Sequence, residues 1–333
     1  MLGAIGVLSF IYIRRRMYEI FLQSHLLASV AFLVLLWFHI SRLDTHILVC
    51  LVTSGSLFVL QKLSWLLSLI YHNFGSGPSR QVLITKFHQS GLNEDVLHVR
   101  INLKRPWRIR AGQYIYLSLP GLRALGLGIL EAHPFMIAWP LYNEQERLSS
   151  IVLLVQSCRG FTRRLQLFGS LNPGWIDGPY GGADEDTLAN YDKVLLMSYG
   201  IGLAAHLCTA RYLLLAHNRQ TARVRRLTLV WILETQGTKL RCTDEMFALT
   251  ESLEQMRWAE EFLCALDDLD PRHILTIFLV YPSKVEGSSE RRVTSFQLPG
   301  ARMLPLHGTL DMTWLIESEW GAEAGNMLVS GKL

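Results

Sequence analysis

Apolar residues run almost unbroken through the first 74 positions, and beyond them the chain divides into short alternating stretches. Residues 21–40 carry no charged side chain, and a helix of that length spans the ~30 Å hydrocarbon core of a bilayer. A second apolar run covers residues 46–60. It passes into 61–71, where Lys62, Trp65 and Tyr71 suit a helix emerging at the membrane interface. Residues 1–13 are apolar but reach only ~20 Å as a helix. The Arg14-Arg15-Arg16 triplet follows that run, whereas a signal peptide carries its charge in front. The stretch therefore reads as the last part of a span whose beginning lies before residue 1. The triplet marks the cytosolic side, which puts the 41–45 turn outside and returns the chain to the cytosol before Asn73.

After the helix-breaking Gly75-Ser76-Gly77-Pro78 the period shortens to two. Residues 81–87, 96–103, 113–119, 135–139 and 151–156 read as strands of a small antiparallel barrel, and 160–168 reads as a helix. From Lys193 the pattern changes again. Strands at 194–197, 227–233, 273–281 and 326–330 alternate with helices at 203–217, 244–266 and 312–324, as in a parallel, doubly wound α/β sheet. The expected division is a helical membrane segment (1–74), an antiparallel β-barrel (78–186) and an α/β domain (187–333).

Composition sharpens the first boundary. Half the chain is apolar and 18% is charged, and only Arg14, Arg15, Arg16, Glu19, Arg42, Asp44 and Lys62 are charged before residue 75. Disorder is excluded. A net charge of +4, without a basic stripe interleaved with aromatics, argues against a nucleic-acid partner. The five cysteines are scattered and form no C-x-x-C, which disfavours a disulfide framework or zinc site and suits a reducing compartment.

Two features carry candidate chemistry. His25 and His39 fall 14 residues apart in one span, about 40° from a common face and ~21 Å apart along the axis. That spacing suits axial ligands to two stacked b-type haems, and it also suits two interface histidines bonded to neighbours. Gly200-Ile201-Gly202 ends a strand and opens a helix, where backbone N–H groups can approach a pyrophosphate. Glycines there also serve packing alone. The isolated histidines His88, His98, His206, His217 and His273 read as surface or packing residues. Trp139 and Gln156 suit either core filling or packing beside the preceding strands.

The order of motifs is more specific than any one of them. Gly112-Gln113-Tyr114 precedes His133-Pro134-Phe135, then Arg159-Gly160-Phe161-Thr162, Asp177-Gly178-Pro179-Tyr180-Gly181 and Gly200-Ile201-Gly202. Arg15-Arg16-x-Tyr18-Glu19-x-Phe21, His25 and Trp37-x-His39 precede the series. Over nearly its whole length the chain resembles the later part of the fungal ferric-chelate reductases (ferric reductase transmembrane components), relatives of the transmembrane NADPH oxidases. The resemblance implies a ferredoxin-reductase-type FAD-binding barrel, an NADPH-binding α/β domain, and transfer of electrons from NADPH through FAD and two b haems to a ferric or cupric chelate. It implies an integral protein of the plasma membrane, in contact with lipid, with the FAD and NADPH domains in the cytosol. Association with other membrane reductase subunits is a further expectation.

By the same resemblance His25 and His39 ligate haem iron, and His133, Pro134 and Phe135 lie beside the isoalloxazine. Gly160, Phe161 and Thr162 meet the FAD pyrophosphate, with Arg159 or Arg163 as charge partner. Gly178, Pro179, Tyr180 and Gly181 link barrel to nucleotide domain near the nicotinamide, and Gly200 and Gly202 hold the NADPH diphosphate. Thr235, Lys239 and Arg241 are candidates for the 2′-phosphate. Met136 stands where relatives often carry Ser or Thr, Tyr199 where many carry Gly, and His307-Gly308-Thr309-Leu310 where many carry Gly-Arg-Pro. The family's second histidine pair has no counterpart in the sequence, so bis-histidine haem is not expected within this chain alone. The end at Ser330-Gly331 reads as a turn cut short. The rival expectations are a non-catalytic partner protein, a haem-independent NAD(P)H:acceptor reductase and a superoxide-producing oxidase.

Overall fold

The computed structural model describes residues 18–40, 45–75, 81–87, 95–123, 126, 128–129, 131–158, 160–167, 172–233, 256–281, 303–307, 311–322 and 324–332. These form two compact units, Met1–Tyr71 and His72–Leu333. The expectations on residues 1–13, the arginine triplet, His88, Arg159, Thr235, Lys239 and Arg241 lie outside the described residues.

The first unit holds helix α1 (Tyr18–Ile40) and helix α2 (Thr45–Asn73) as far as Tyr71; His72 and Asn73, the last residues of α2, belong to the second unit. The apolar run expected at 46–60 and its continuation over 61–71 lie in one continuous helix, ~43 Å long at 1.5 Å per residue. No residue of α2 is buried, and an all-round apolar surface needs a non-aqueous neighbour. Among the described residues α2 alone is long and apolar enough to cross a membrane. The qualifying stretch of α1, Ser24–His39, is shorter.

The second unit begins with two antiparallel sheets. One has the order β5-β6-β2-β1-β7, from Trp139–Tyr142, Leu148–Gln156, Val96–Asn102, Gln81–Phe87 and Asn172–Pro173. The other is β4-β3-β8, from His133–Met136, Gln113–Ser118 and Trp175–Gly181. The expected single strand 135–139 is in fact split. Ile137 and Ala138 are buried at the crossover, so β4 and β5 belong to different sheets. The segment expected as a link around Asp177 is itself strand β8. Val82, Leu97, Val99, Ile101, Ile115, Leu117, Leu153 and Ile176 fill the space between the sheets.

The α/β part is a five-stranded sheet with every neighbouring pair parallel, in the order β12-β11-β10-β9-β13. The strands are β9 (Lys193–Tyr199), β10 (Arg226–Ile232), β11 (Leu275–Tyr281), β12 (Met303–His307) and β13 (Met327–Lys332). Sequence reading misses β12. Strand β13 returns to the far side of β9, so the strand order reverses between β9 and β13. The core does not stop at the boundary between the two folds. Outward-facing Val96, Val152, Leu154 and Trp139 of the antiparallel sheet join Leu207, Trp231, Trp258 and Phe262 in one continuous cluster. This is why β2 and β6 are buried on both faces instead of alternating.

His98 closes that seam. Its ring packs between Phe87 and Phe262. Nε2 lies 2.7 Å from the Trp258 carbonyl, which can only accept, so Nε2 carries the proton. Nδ1 lies 3.1 Å from the Glu261 carboxylate, the facing charge, whose side chain is 63% exposed. Burial pushes the imidazole below its ordinary pKa and outweighs the upward pull of Glu261. The unfolded chain therefore binds a proton more readily than the folded one. The resulting stability is present above the ordinary pKa of ~6.5 and is lost as pH falls through the lower folded value. Thermal unfolding should move down between about pH 7.5 and about pH 5.5, with a weaker dependence in His98→Gln.

Candidate functional site

The three-stranded sheet brings together motifs that are far apart in sequence. Pro134 pairs with Tyr116, which pairs with Asp177, and Met136 pairs with Tyr114, which pairs with Tyr180. Because strand side chains alternate, Ile115 and Leu117 point into the core while Tyr114 and Tyr116 stand on the other face. The Tyr114, Tyr116 and Tyr180 rings form a triangle with centroids 5.8 to 5.9 Å apart. The Tyr180 hydroxyl donates to Asp177 Oδ1 at 2.5 Å. One extra residue on β8 between Asp177 and Tyr180 makes a bulge, the device by which a strand re-aims its side chains. Gly181, at φ +66°, lies against the Tyr114 ring. At the start of β3 the Gln113 side chain accepts from the Arg110 N–H at 2.9 Å.

On the reverse of β4, the His133 and Phe135 rings pack on Phe161 at 4.4 and 6.1 Å. Phe161 is buried and is the first residue of the short helix α3 (Phe161–Leu167), so the Gly160-Phe161-Thr162 turn sits directly behind the His133-Pro134-Phe135 strand. Thr162 Oγ1 accepts from the Cys158 N–H at 3.1 Å. Gly160 has φ +62°, and no atom lies within 4 Å of where a Cβ would stand, which leaves the turn open to close approach. Arg163 is exposed. Arg164 donates to Glu131 at 2.9 Å, and Arg123 grips the other oxygen of the same carboxylate. An open aromatic and apolar face backed by an unobstructed glycine turn fits what a planar isoalloxazine and its pyrophosphate require.

The second candidate lies at the carboxyl end of β9. Gly200–Leu203 forms a 3₁₀ turn that opens α4 (Ala204–Asn218), and Gly200 is buried with φ +49°. The Trp231 indole N–H donates to the Gly200 carbonyl at 2.9 Å and is held by Trp258. His206 Nε2 lies 3.0 Å from the Met197 carbonyl, tying α4 back to β9. Ser330, Gly331 and Lys332 pair with Leu196, Met197 and Ser198, so they flank this turn. The β9/β13 reversal is a topological switch point, where ligands of open α/β sheets bind. Trp231→Phe removes a buried side-chain donor to the Gly200 carbonyl and should lower the unfolding free energy by about 1 kcal/mol, read by chemical denaturation.

Of the isolated histidines, His98 and His206 are buried, and His217 bonds the Val224 carbonyl at 2.7 Å. His273 is exposed. Trp139 packs on Phe262 and faces Arg211 at the seam. Burial pushes the Cys208 thiol up to about 11, which leaves it protonated at neutral pH. His25 and His39 both lie on α1. Among the described residues no three His, Cys, Asp or Glu side chains converge as a metal site. Sequence reading missed Glu131, Trp231 and Tyr116. An aromatic at every second position, Tyr114 and Tyr116, was the available signal for the last.

Residues 81–184 match the family model of an FAD-binding domain. The chain is 25% identical over 280 residues to ferric/cupric reductase transmembrane component 7 of Saccharomyces cerevisiae, covering 82% of this chain and 40% of that protein. It is 28% identical over 216 residues to a probable cell surface ferric reductase of Aspergillus oryzae, covering 61% of this chain and 26% of that protein. A ferredoxin NADP+ reductase from Neisseria gonorrhoeae, solved with FAD and NADP, overlays 78% of this chain and 87% of its own at 14% identity and TM-score 0.47. The homologues of this chain are fungal ferric and cupric reductase transmembrane components, of whose length it spans between about a quarter and two-fifths.

Proposed function

We propose that the chain is a membrane oxidoreductase that passes electrons from NADPH through FAD to a ferric or cupric chelate. The observation that carries this reading is the open Pro134–Tyr116–Asp177 and Met136–Tyr114–Tyr180 face within the stretch that matches an FAD-binding domain. FAD bound there would supply the step from two-electron to one-electron transfer. Pro134, Met136 and the tyrosines provide the flat shelf, and His133 and Phe135 brace it from behind through Phe161. Gly160, Phe161 and Thr162 offer backbone amides to the pyrophosphate, with Arg159 or Arg163 as the cation, because Arg164 is committed to Glu131. Gly178, Pro179, Tyr180 and Gly181 shape the edge of the shelf nearest the α/β part. Gly200 and Gly202 receive the NADPH diphosphate at the switch point, with Trp231 holding the turn.

In this reading residues 1–74 are the membrane part, 78–186 bind FAD and 187–333 bind NADPH. The last two face the cytosol beneath the plasma membrane. His25 and His39 would each give one axial imidazole to a b haem. Two such haems need four imidazoles, and the other histidines of the membrane part, His46 and His72, stand ~39 Å apart on α2, nearly twice the α1 spacing. Residues 1–74 therefore offer two of the four imidazoles in this spacing, and no step is assigned through haem. Association with other membrane reductase subunits remains part of this reading.

The test is chelate reduction by membranes that carry the chain. NADPH-driven reduction of a ferric chelate, abolished when flavin is stripped and restored by FAD, supports the reading. Membranes that contain the folded chain and FAD but reduce no chelate, or yield superoxide instead, count against it.

A further inference from the structure

We propose that Asn73 is a positioning residue for the candidate flavin face and acts through strand β8. The inference rests on the flavin reading above. Among the described residues strand β8 is the edge of its sheet, paired with β3 on one side. The Asn73 carboxamide meets its other side at one residue. Its Nδ2 donates to the Ile176 carbonyl at 2.7 Å, and its Oδ1 accepts from the Ile176 N–H at 3.0 Å. A carbonyl accepts and an N–H donates, so the pair of bonds fixes which way the amide points. In an antiparallel strand the N–H and C=O of one residue face the same side. Both groups of Ile176 therefore point away from β3, and a side-chain amide takes the place of a neighbouring strand.

The location gives this pin its consequence. Ile176 directly precedes Asp177, and the ladder between β8 and β3 breaks register in the next few residues, between Asp177 and Tyr180. The regular pairing to β3 is interrupted over that stretch. The outer lock at Ile176 sets where the bulge begins, and thereby where Asp177 and Tyr180 meet Tyr116 and Tyr114. Aromatic contacts bracket the lock. His72 meets Trp107 edge-on at 5.5 Å, and Phe74 meets Trp175 edge-on at 5.4 Å. The two bonds from Asn73 to Ile176 act on the backbone of β8, and through that backbone on the face.

The test compares the full chain in detergent with Asn73→Ala and Asn73→Asp. The aspartate keeps an acceptor for the Ile176 N–H but sets a carboxylate against the Ile176 carbonyl. FAD affinity is read by flavin fluorescence, the flavin environment by visible circular dichroism, and the amide exchange of 175–181 by mass spectrometry without added FAD. The expected result is faster exchange confined to that stretch in both variants, FAD binding weaker by about tenfold, and an altered flavin dichroism, with far-ultraviolet dichroism unchanged. If wild-type protein binds FAD and both variants bind it equally tightly with unchanged exchange, the role of Asn73 falls while the flavin reading stands. If folded wild-type protein binds no FAD, the flavin reading falls and takes this assignment with it.

Discussion

Glu131→Ala should cost the second unit about 2–3 kcal/mol of stability and most of its hold on FAD. The Glu131 side chain is 7% exposed and receives Arg123 on one oxygen and Arg164 on the other. Arg123 follows the turn after β3, Glu131 precedes β4, and Arg164 lies on α3. One carboxylate therefore ties together the loop before His133-Pro134-Phe135 and the helix that begins at Gly160-Phe161-Thr162. Removing it leaves two guanidinium groups facing each other without a counter-charge. Both arginines are a third or more exposed, so water relieves part of the penalty. This places the cost below the 3–5 kcal/mol of a fully buried pair. In a domain of this size the loss corresponds to about 5–10 °C in Tm. Glu131→Gln, which keeps hydrogen-bond acceptance and loses the charge, should fall between. A calorimetric scan with and without FAD checks both effects. An unchanged Tm with unchanged flavin retention would show that the clamp is not structural.

Gly181→Val is the second large effect, and it acts on the shelf directly. Gly181 has φ +66°, and a Cβ there would lie 3.2 Å from the Tyr114 ring. A β-branched residue pays about 1–2 kcal/mol for the backbone region alone. It must also push a ring that is one corner of the tyrosine triangle. The expected outcome is FAD binding weakened by more than tenfold with the overall fold retained, because both faults fall at the end of an edge strand. Gly182→Ala, whose added carbon would meet the Gln113 side chain at 3.1 Å, should weaken FAD less, since it displaces no ring. Flavin retention on gel filtration separates the two variants.

The sequence pattern reveals what depends on local periodicity. Strands β1, β2, β3, β6, β9, β10, β11 and β13 all lie within a few residues of where alternation or apolar runs put them. The Gly200–Leu203 turn stands where strand gives way to helix. Features that depend on tertiary placement were hidden. Strand β8 is disguised because Gly178, Pro179 and Gly181 are turn formers, tolerated here by an edge position and a bulge. The split between β4 and β5 is invisible because Ile137 and Ala138 are apolar like their neighbours, and only burial at the crossover distinguishes them. Strand β12 carries Pro305, which argues against a strand unless the strand lies at a sheet edge, where β12 in fact runs. Arg163 and Arg164 look alike in sequence. Helix position turns one to solvent and the other to Glu131. His98 reads as a stray polar residue on a barrel strand because nothing local shows that the outer face of β2 is covered by Trp258 and Phe262.

The central claim is that the face built by β4, β3 and β8 binds FAD and that the turn at Gly200 delivers NADPH to it. It is tested most directly by loading the full chain with FAD in detergent, removing free flavin and adding NADPH under anaerobic conditions. Stoichiometric bound FAD that NADPH bleaches, with retention lost in Gly181→Val, is the predicted result. Folded protein that retains no FAD, or FAD that NADPH leaves oxidised, would contradict it.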